Sequence, residues 1–167
     1  MSRQILGYGT LLALMLLAPA VVYPVLVMKI LCFALFACAF NLLIGYTGLL
    51  SFGHAVFLGT AGYVAGHSIK VWGFPPELGL IAATLAAAAL GWVIGSLAIR
   101  RSGIYFAMIT LALAQMMYFF FLQAPFTGGE DGLQDVPRGK LLGIIDLADD
   151  FNLYYFVLAI FIFAFWL

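Results

Sequence analysis

The sequence predicts an all-α, polytopic membrane protein with about six transmembrane helices, one of them broken. Charged residues make up 8% of the 167 residues, hydrophobic residues make up 66%, and the mean hydropathy is +1.16. A soluble domain carries roughly 25% charged residues, so this chain lacks the polar side chains that a water-facing surface needs. The formal net charge is zero, which gives no indication of nucleic-acid binding.

Six apolar runs reach or approach the roughly 20 residues that a helix needs to cross a bilayer. Pro, Gly or charged residues separate them. A small-residue triplet at 18–20 resembles a signal-peptidase site, but the first run is itself close to spanning length, which favours a retained helix. The predicted helices cover residues 5–22, 25–45, 54–72, 79–99, 104–123 and 153–167. The last run ends without a polar exit, so we expect one transmembrane domain that is truncated at its C-terminus.

Basic residues give an orientation for this arrangement. If the helices alternate, three basic residues fall on one side (Arg3, Arg100 and Arg101) and four on the other (Lys29, Lys70, Arg138 and Lys140). The Arg100-Arg101 pair is the only dense basic cluster in a short loop, so the positive-inside rule places it in the cytoplasm. The N-terminus is then cytoplasmic, and the acidic segment 124–152 lies outside.

Small residues recur on one face of two predicted helices. They are spaced at helical intervals, as Ala83, Ala87, Gly91 and Gly95 in one helix and Gly59, Gly62 and Gly66 in the other. Lipid offers no hydrophobic drive between helices, and such stripes let two backbones approach closely. We therefore predict helix-packing seams.

Three polar residues lie along the run 104–123 and fit either interhelical hydrogen bonds or solute contacts. They are Tyr105, Thr110 and Gln115.

The stretch NLLIGYTGLLSFGHA, residues 41–55, gathers glycines and polar residues inside apolar sequence. Gly and hydroxyl residues form helices poorly, so we predict a broken or sharply turned helix over 45–54. Broken backbone at membrane depth is tolerated only where protein or a water-filled cavity covers it, and its freed polar groups are able to bind a solute. The candidate pathway or hinge residues are Asn41, Gly45, Thr47, Gly48, Ser51, Gly53 and His54.

Two alternatives to this interpretation stay open. A turn between two helices at the membrane surface explains the same residues. His54 fits a proton relay, but an interface or capping histidine is the more common role for a lone histidine of this kind.

The sequence offers no catalytic, metal-binding or cofactor-binding motif, so we do not expect an enzyme. Every Asp and Glu is predicted in a loop, which argues against a proton-driven carrier with a membrane carboxylate and against a carboxylate-based hydrolase. The Walker A pattern is absent, since Gly139-Lys140 is followed by Leu141.

Three motifs occur in a fixed order along the chain: NLLIGYTGLLSFGHAVF (41–57), IRRSGIYFAMITLALAQ (99–115) and TGGEDGL (127–133). Together they closely resemble the permease subunit of branched-chain amino acid ABC importers, in the M-type half of the permease pair. The resemblance covers nearly the whole chain from Pro24 onward. Permeases for urea and short amides share similar motifs, so the substrate stays open between these classes.

The resemblance implies a location and partners. It implies a multi-pass subunit in the bacterial inner membrane that pairs with a second, homologous permease. Two cytoplasmic ATPase subunits would drive it, a periplasmic amino-acid-binding protein would deliver the solute, and no cofactor is implied. The expected docking loop for the binding protein comprises Thr127, Gly128, Gly129, Glu130, Asp131 and Gly132. The alternative for that loop is a solvated turn.

Two rival classes remain at this point. An ATP-independent secondary carrier would transport solute without ATPase partners. A membrane-embedded enzyme would need a nucleophile–base pair, which these residues do not offer and which a segment after Leu167 could hold.

The predicted orientation is tested with single cysteines in intact cells, after Cys32 and Cys38 are replaced by serine. We expect Ala148→Cys to react with a membrane-impermeant maleimide. Ser102→Cys, beside the Arg100-Arg101 pair, should react only after the inner membrane is opened. The reverse labelling pattern would invert the topology.

Overall fold

The structure is a computed structural model that describes residues 14–19, 21–100, 103–141 and 145–166. Within them the α-helices are α1 (Pro24–Thr47), α2 (His54–Lys70), α3 (Pro76–Ala98), α4 (Ile104–Gln123) and α5 (Asp150–Trp166). Two short 3-10 turns follow α4, at Pro125–Thr127 and Gly129–Asp131. A minimal antiparallel ladder pairs β1 (Lys140–Leu141) with β2 (Ile145–Asp146), with Lys140 opposite Asp146. The predicted all-α polytopic class is confirmed.

Five of the predicted spans correspond to these helices, with ends that differ by at most three residues. The span predicted over 5–22 lies mainly outside the described residues, and residues 14–19 within it are helical. Among the described helices, α1, α3 and α4 are long and apolar enough to cross a membrane, and α5 is a shorter apolar helix of 17 residues. The helix α2 also has 17 residues but is less apolar.

Two acidic residues lie in helices rather than in loops, so that part of the sequence prediction is wrong. Glu77 is in the first turn of α3, directly after Pro76, and Asp150 is in the first turn of α5. Proline suits the first helical position because its missing N–H would be unpaired there in any case. Acidic side chains in a first turn are stabilised by the positive end of the helix dipole.

Hydroxyl groups inside the helices are satisfied within their own helix. Each donates a hydrogen bond to a carbonyl three or four residues earlier, at 2.5–3.1 Å, as Thr60, Ser68, Thr84, Ser96 and Thr110 do. Ser and Thr commonly make this bond in helix interiors. These polar residues therefore place no unpaired group in an apolar environment.

The helices α2 and α3 form an antiparallel hairpin that is closest at a glycine. A Cβ built on Gly79 would lie 2.8 Å from Cγ1 of Ile69, well inside van der Waals contact. Further along, a Cβ on Gly91 would lie 3.7 Å from Cε1 of Phe57. The missing side chain at Gly79 therefore leaves room for the Ile69 side chain between the two helices.

The other small residues predicted as seams have different surroundings. A Cβ on Gly66 would lie 3.1 Å from Cδ1 of Leu133, outside the helices, and Ala87 is half-buried on α3. No atom of the described chain lies within 4 Å of a Cβ built on Gly59, Gly62 or Gly95. A packing role for these three stays a prediction.

The helices α2 and α4 run in the same direction. Gly53, just before α2, contacts Thr110 near the start of α4. Further along, the rings of Tyr63 and Phe121 stack with centroids 5.0 Å apart. The two helices are therefore parallel, with α2 displaced toward the C-terminal end of α4.

The chain divides into two compact units. One comprises the described residues up to Cys38 together with those from Leu147 onward, and the other runs from Ala39 to Asp146. The first has an apolar core made by Met28 and Leu31 of α1 with Tyr154 and Leu158 of α5. The Tyr154 hydroxyl donates to the Met15 carbonyl oxygen at 2.5 Å, which satisfies the polar end of a buried ring.

The contact at Gly79 predicts a stability difference between two leucine variants. Gly79→Leu should lower the free energy of unfolding by about 1–3 kcal/mol, the usual cost of forcing extra carbon atoms into a packed contact. Ala89→Leu, at an exposed position of α3, is the matched control and should change it little. The melting temperature of the purified full-length protein in detergent checks this, and equal values for the two variants would contradict the close contact.

Candidate functional site

The backbone is interrupted between α1 and α2, where the sequence predicted a break. Residues 48–53 are not helical, and Gly48 has a φ of +64°, a conformation that favours glycine at a helix end. The Thr47 hydroxyl donates to the Leu43 carbonyl at 2.6 Å and accepts from the Leu49 N–H at 3.2 Å. Thr47 thus closes the last turn of α1 with its own side chain.

The interruption lies alongside α4 rather than beyond its end. A Cβ on Gly53 would lie 2.7 Å from the Thr110 carbonyl oxygen, so only glycine permits this approach. Thr110 is six residues after Ile104, which puts the contact about 9 Å along a helix of about 30 Å. A helix of that length matches the hydrocarbon thickness of a bilayer, so Phe52 and Gly53, at the α2 end of the interruption, are inset from the level at which α4 starts.

Two polar residues of the interruption have distinct surroundings. Ser51 is only 5% exposed, and its hydroxyl makes no hydrogen bond with the part of the chain that the structure describes. His54 is half-buried, with edge-to-face contacts to the rings of Phe40 and Phe57, each at a centroid distance of 5.7 Å. His54 therefore joins the end of α1 to the start of α2.

The other predicted residues lie on an exposed face. Asn41, Gly45 and Gly48 follow one another at intervals of four and three residues, and all three are exposed. No described atom lies within 4 Å of a Cβ built on Gly45 or Gly48. This face is open to contact from outside the described chain.

A cavity of about 660 Å³ lies between α2 and α4. Its polar side chains are Tyr63, Gln115, Tyr118 and Glu130, and its wall is otherwise apolar. The lining residues are Phe52, Ala55, Val56, Gly59, Tyr63, Leu111, Ala114, Gln115, Tyr118, Phe121, Leu122, Gly129 and Glu130. Of the polar residues predicted along α4, Gln115 lines this cavity. The Thr110 hydroxyl instead donates to the Ala107 carbonyl of the same helix.

Sequence reasoning did not find this cavity as a site. The spacing of Leu111, Gln115, Tyr118 and Leu122 places them on one face of α4. That spacing does not reveal which helix lies opposite.

The acidic turn at 125–132 is firmly built. Thr127 is completely buried, and its hydroxyl lies within hydrogen-bonding distance of the Phe121 and Ala124 carbonyl oxygens. Gly128 has a φ of +83°, and a Cβ on it would clash with the Gly132 carbonyl oxygen. Glu130 and Asp131 remain exposed. Thr127 therefore holds the turn from inside, and the two acids are its accessible charges.

The segment after α4 is fastened to the end of α2. The His67 ring nitrogen Nδ1 is 3.1 Å from the Phe126 carbonyl oxygen, and the Lys70 ammonium donates to the Gln134 carbonyl at 2.6 Å. Leu133 closes over Gly66. These contacts tie the acidic turn to α2 rather than leaving it as an independent loop.

Known proteins similar to this chain are membrane transport subunits. A family model described as the permease component of branched-chain amino acid transport systems matches residues 24–167. The chain is 30% identical over 105 residues to the high-affinity branched-chain amino acid transport system permease protein LivM of Escherichia coli K12, covering 62% of this chain and 25% of that protein. It is 27% identical over 110 residues to the LivM protein of Salmonella typhimurium LT2, with the same coverage.

The chain thus spans about a quarter of the length of the curated relatives it matches. No solved structure matches it.

The buried hydroxyl in the acidic turn gives a test of that turn's rigidity. Thr127→Val keeps the side-chain shape but removes the hydrogen bond, worth about 1 kcal/mol. Backbone amide exchange over 125–132 should become faster as a result. Thr84→Val removes an exposed hydroxyl that bonds to Leu80 at 2.8 Å, and as the control it should leave that exchange unchanged. Equal exchange in both variants would show that Thr127 does not hold the turn.

Proposed function

The chain belongs to the permease family of branched-chain amino acid transport systems, and from this premise we propose that it is one transmembrane subunit of an ATP-driven importer. The solute is a branched-chain amino acid or a similar small amino acid. The match of residues 24–167 to that family carries the proposal. The interruption at 48–53 also supports this proposal, because non-helical backbone beside α4 is able to offer polar groups to a solute.

The proposed importer is an assembly in the bacterial inner membrane. A second, homologous permease completes the membrane part, and two cytoplasmic ATPase subunits supply the energy. ATP hydrolysis is assigned to them because no P-loop pattern occurs within these 167 residues. A periplasmic binding protein delivers the amino acid.

In this proposal the acidic turn faces the periplasm and the N-terminus is cytoplasmic. The helices α2 and α4 both run toward this turn, whereas α3 runs in the opposite direction and Arg100 follows its end. The binding protein docks on the turn, where Glu130 and Asp131 are exposed on a backbone that Thr127 holds in place. Complementary charge speeds and orients such an encounter.

The interruption at 48–53 lines the solute route on the cytoplasmic side. Its inset of about 9 Å along α4 supports this role over that of a surface turn, because an ordinary hairpin turn would lie beyond the helix ends. Ser51 contributes a hydroxyl, and residues 50–52 contribute backbone groups that make no hydrogen bond with the adjoining helices, whereas the Gly48 N–H and the Gly53 carbonyl do bond to them. Asn41, Gly45 and Gly48 present the adjoining exposed face.

Gly53 acts as a hinge in the same proposal. Its backbone rests directly on the Thr110 carbonyl without an intervening side chain. Alternating access requires a few positions that absorb a change in backbone direction. Residues 48–53 supply them, while His54 of α2 keeps an edge contact with Phe40 of α1.

The role of Ser51 is tested in the full-length complex with its partners. Ser51→Ala removes only the hydroxyl, and leucine import per assembled complex should fall by about 2- to 10-fold, as for the loss of one hydrogen bond. Basal ATPase activity should stay the same, because the change is remote from ATP. Ser96→Ala, which removes an exposed hydroxyl bonded to Val93 at 2.8 Å, is the control and should import normally.

Three results would count against parts of this proposal. Unchanged import by Ser51→Ala would remove Ser51 from the route. Import by the purified permease without ATPase subunits would indicate a secondary carrier. Competition by urea or short amides, and none by leucine, would move the chain to the related importer class.

A further inference from the structure

The cavity between α2 and α4 joins the two features described above. Phe52, within the interruption, lines one end, and Glu130, on the acidic turn, lines the other. The α4 side extends from Leu111 to Leu122, eleven residues or about 16 Å along the helix. The cavity is thus a groove that runs between the proposed docking surface and the proposed inner part of the route.

The lining of this groove suits an amino acid with an apolar side chain. Tyr63 and Phe121 stack on one another in its wall, which gives an aromatic surface for branched aliphatic groups. Glu130 offers a carboxylate to an ammonium group, and Gln115 offers an amide to a carboxylate. Small-molecule sites commonly have this composition, a mainly apolar wall with a few polar groups, and volumes of roughly 300–1,000 Å³.

The groove stays open because one of its walls lacks a side chain. Gly59 lies in the first half of α2 and lines the groove, and a Cβ built there meets no described atom within 4 Å. A methyl group at this position therefore fits without a clash, and we expect longer side chains to extend into the space between α2 and α4. Gly59 therefore controls the free width of the groove.

We propose that this groove binds the transported amino acid on its way from the acidic turn to the interruption at 48–53; the proposal rests on the function proposed above. Glu130 contacts the ammonium group on entry. Gln115 lies seven residues, about 10 Å, before Leu122 at the outer end. It therefore contacts the amino acid at a second, deeper position, where the aromatic wall holds the apolar side chain.

The first test narrows the groove at Gly59 in the full-length permease, assembled with its partner subunits. Import of radiolabelled leucine per assembled complex should fall stepwise through Gly59→Ala, Gly59→Val and Gly59→Leu. The last should lose at least about tenfold, the effect of a misfitting methylene group in an apolar site. Ala89→Leu, on an exposed face of α3 outside the groove, should import normally. Normal import by Gly59→Leu would overturn the proposal.

The second test separates solute binding from docking. Glu130→Gln and Asp131→Asn remove the same charge from neighbouring exposed residues, but only Glu130 lines the groove. At a saturating concentration of binding protein, Glu130→Gln should still import leucine slowly, whereas Asp131→Asn should recover the normal rate. Full recovery of both variants would limit Glu130 to docking and overturn its role in the groove.

The third test shows whether the groove is open in the complete assembly. With Cys32 and Cys38 replaced by serine, the thiol introduced by Gly59→Cys should react with a small ethylammonium methanethiosulfonate. Leucine-loaded binding protein should slow this reaction. An unreactive thiol would mean that a neighbouring helix fills the groove, which overturns the proposal. If the complex imports a short amide instead of leucine while the Gly59 series still blocks it, the groove stands and the branched-chain assignment fails.

Discussion

The approach of the Gly53 backbone to the Thr110 carbonyl fixes the inner half of the proposed transport route. Any side chain at Gly53 would come within 2.7 Å of that oxygen, so this contact exists only because the residue is glycine. It sets the level at which α2 begins, about 9 Å along α4, and leaves 48–53 as the link from α1. The groove starts at Phe52, the next residue back along the chain, so its inner end depends on the same contact.

Polar side chains in this chain fall into two groups, and the division identifies the functional candidates. The hydroxyls of Thr47, Thr60 and Thr110 bond to carbonyls of their own helices, so they are accounted for by local structure. Ser51 is buried without such a bond, Gln115 faces the groove, and Glu130 is exposed on the acidic turn. A polar group that the fold does not use is costly in an apolar setting, and this cost is the physical argument for a solute contact at Ser51 and Gln115. For Glu130 the argument is its charge beside the groove.

The sequence predicts the helices well because the signals for them are local. Run length and hydropathy locate α1, α3 and α4, and the glycines and hydroxyls near Thr47 and Ser51 locate the interruption. Pairing between helices is not a local property, since a stripe of small residues shows that a helix can be approached but not by which neighbour. The tight contact between α2 and α3 is accordingly at Gly79, which the prediction did not name, whereas the predicted Gly95 meets no described atom. The groove beside Gln115 depends on α2 and α4 running in parallel. Thr127 illustrates the same limit. The glycines and acids that follow it indicate a turn, but only the structure shows that its hydroxyl is buried within that turn.

The contacts at the two ends of α2 suggest how docking and the solute route are connected under the proposed function. At the outer end, His67 and Lys70 hold carbonyls of the segment after α4, and Leu133 rests on Gly66. At the inner end, Gly53 has no side chain of its own against Thr110, and the neighbouring His54 makes an edge contact with Phe40 of α1. In this proposal a displacement of the acidic turn is passed to α2, a helix of 17 residues, and is absorbed at 48–53. Coupling between distant sites needs an element with two arrangements. The helix α2, which follows the interruption directly along the chain, touches the turn, the groove and the interruption, as α4 also does.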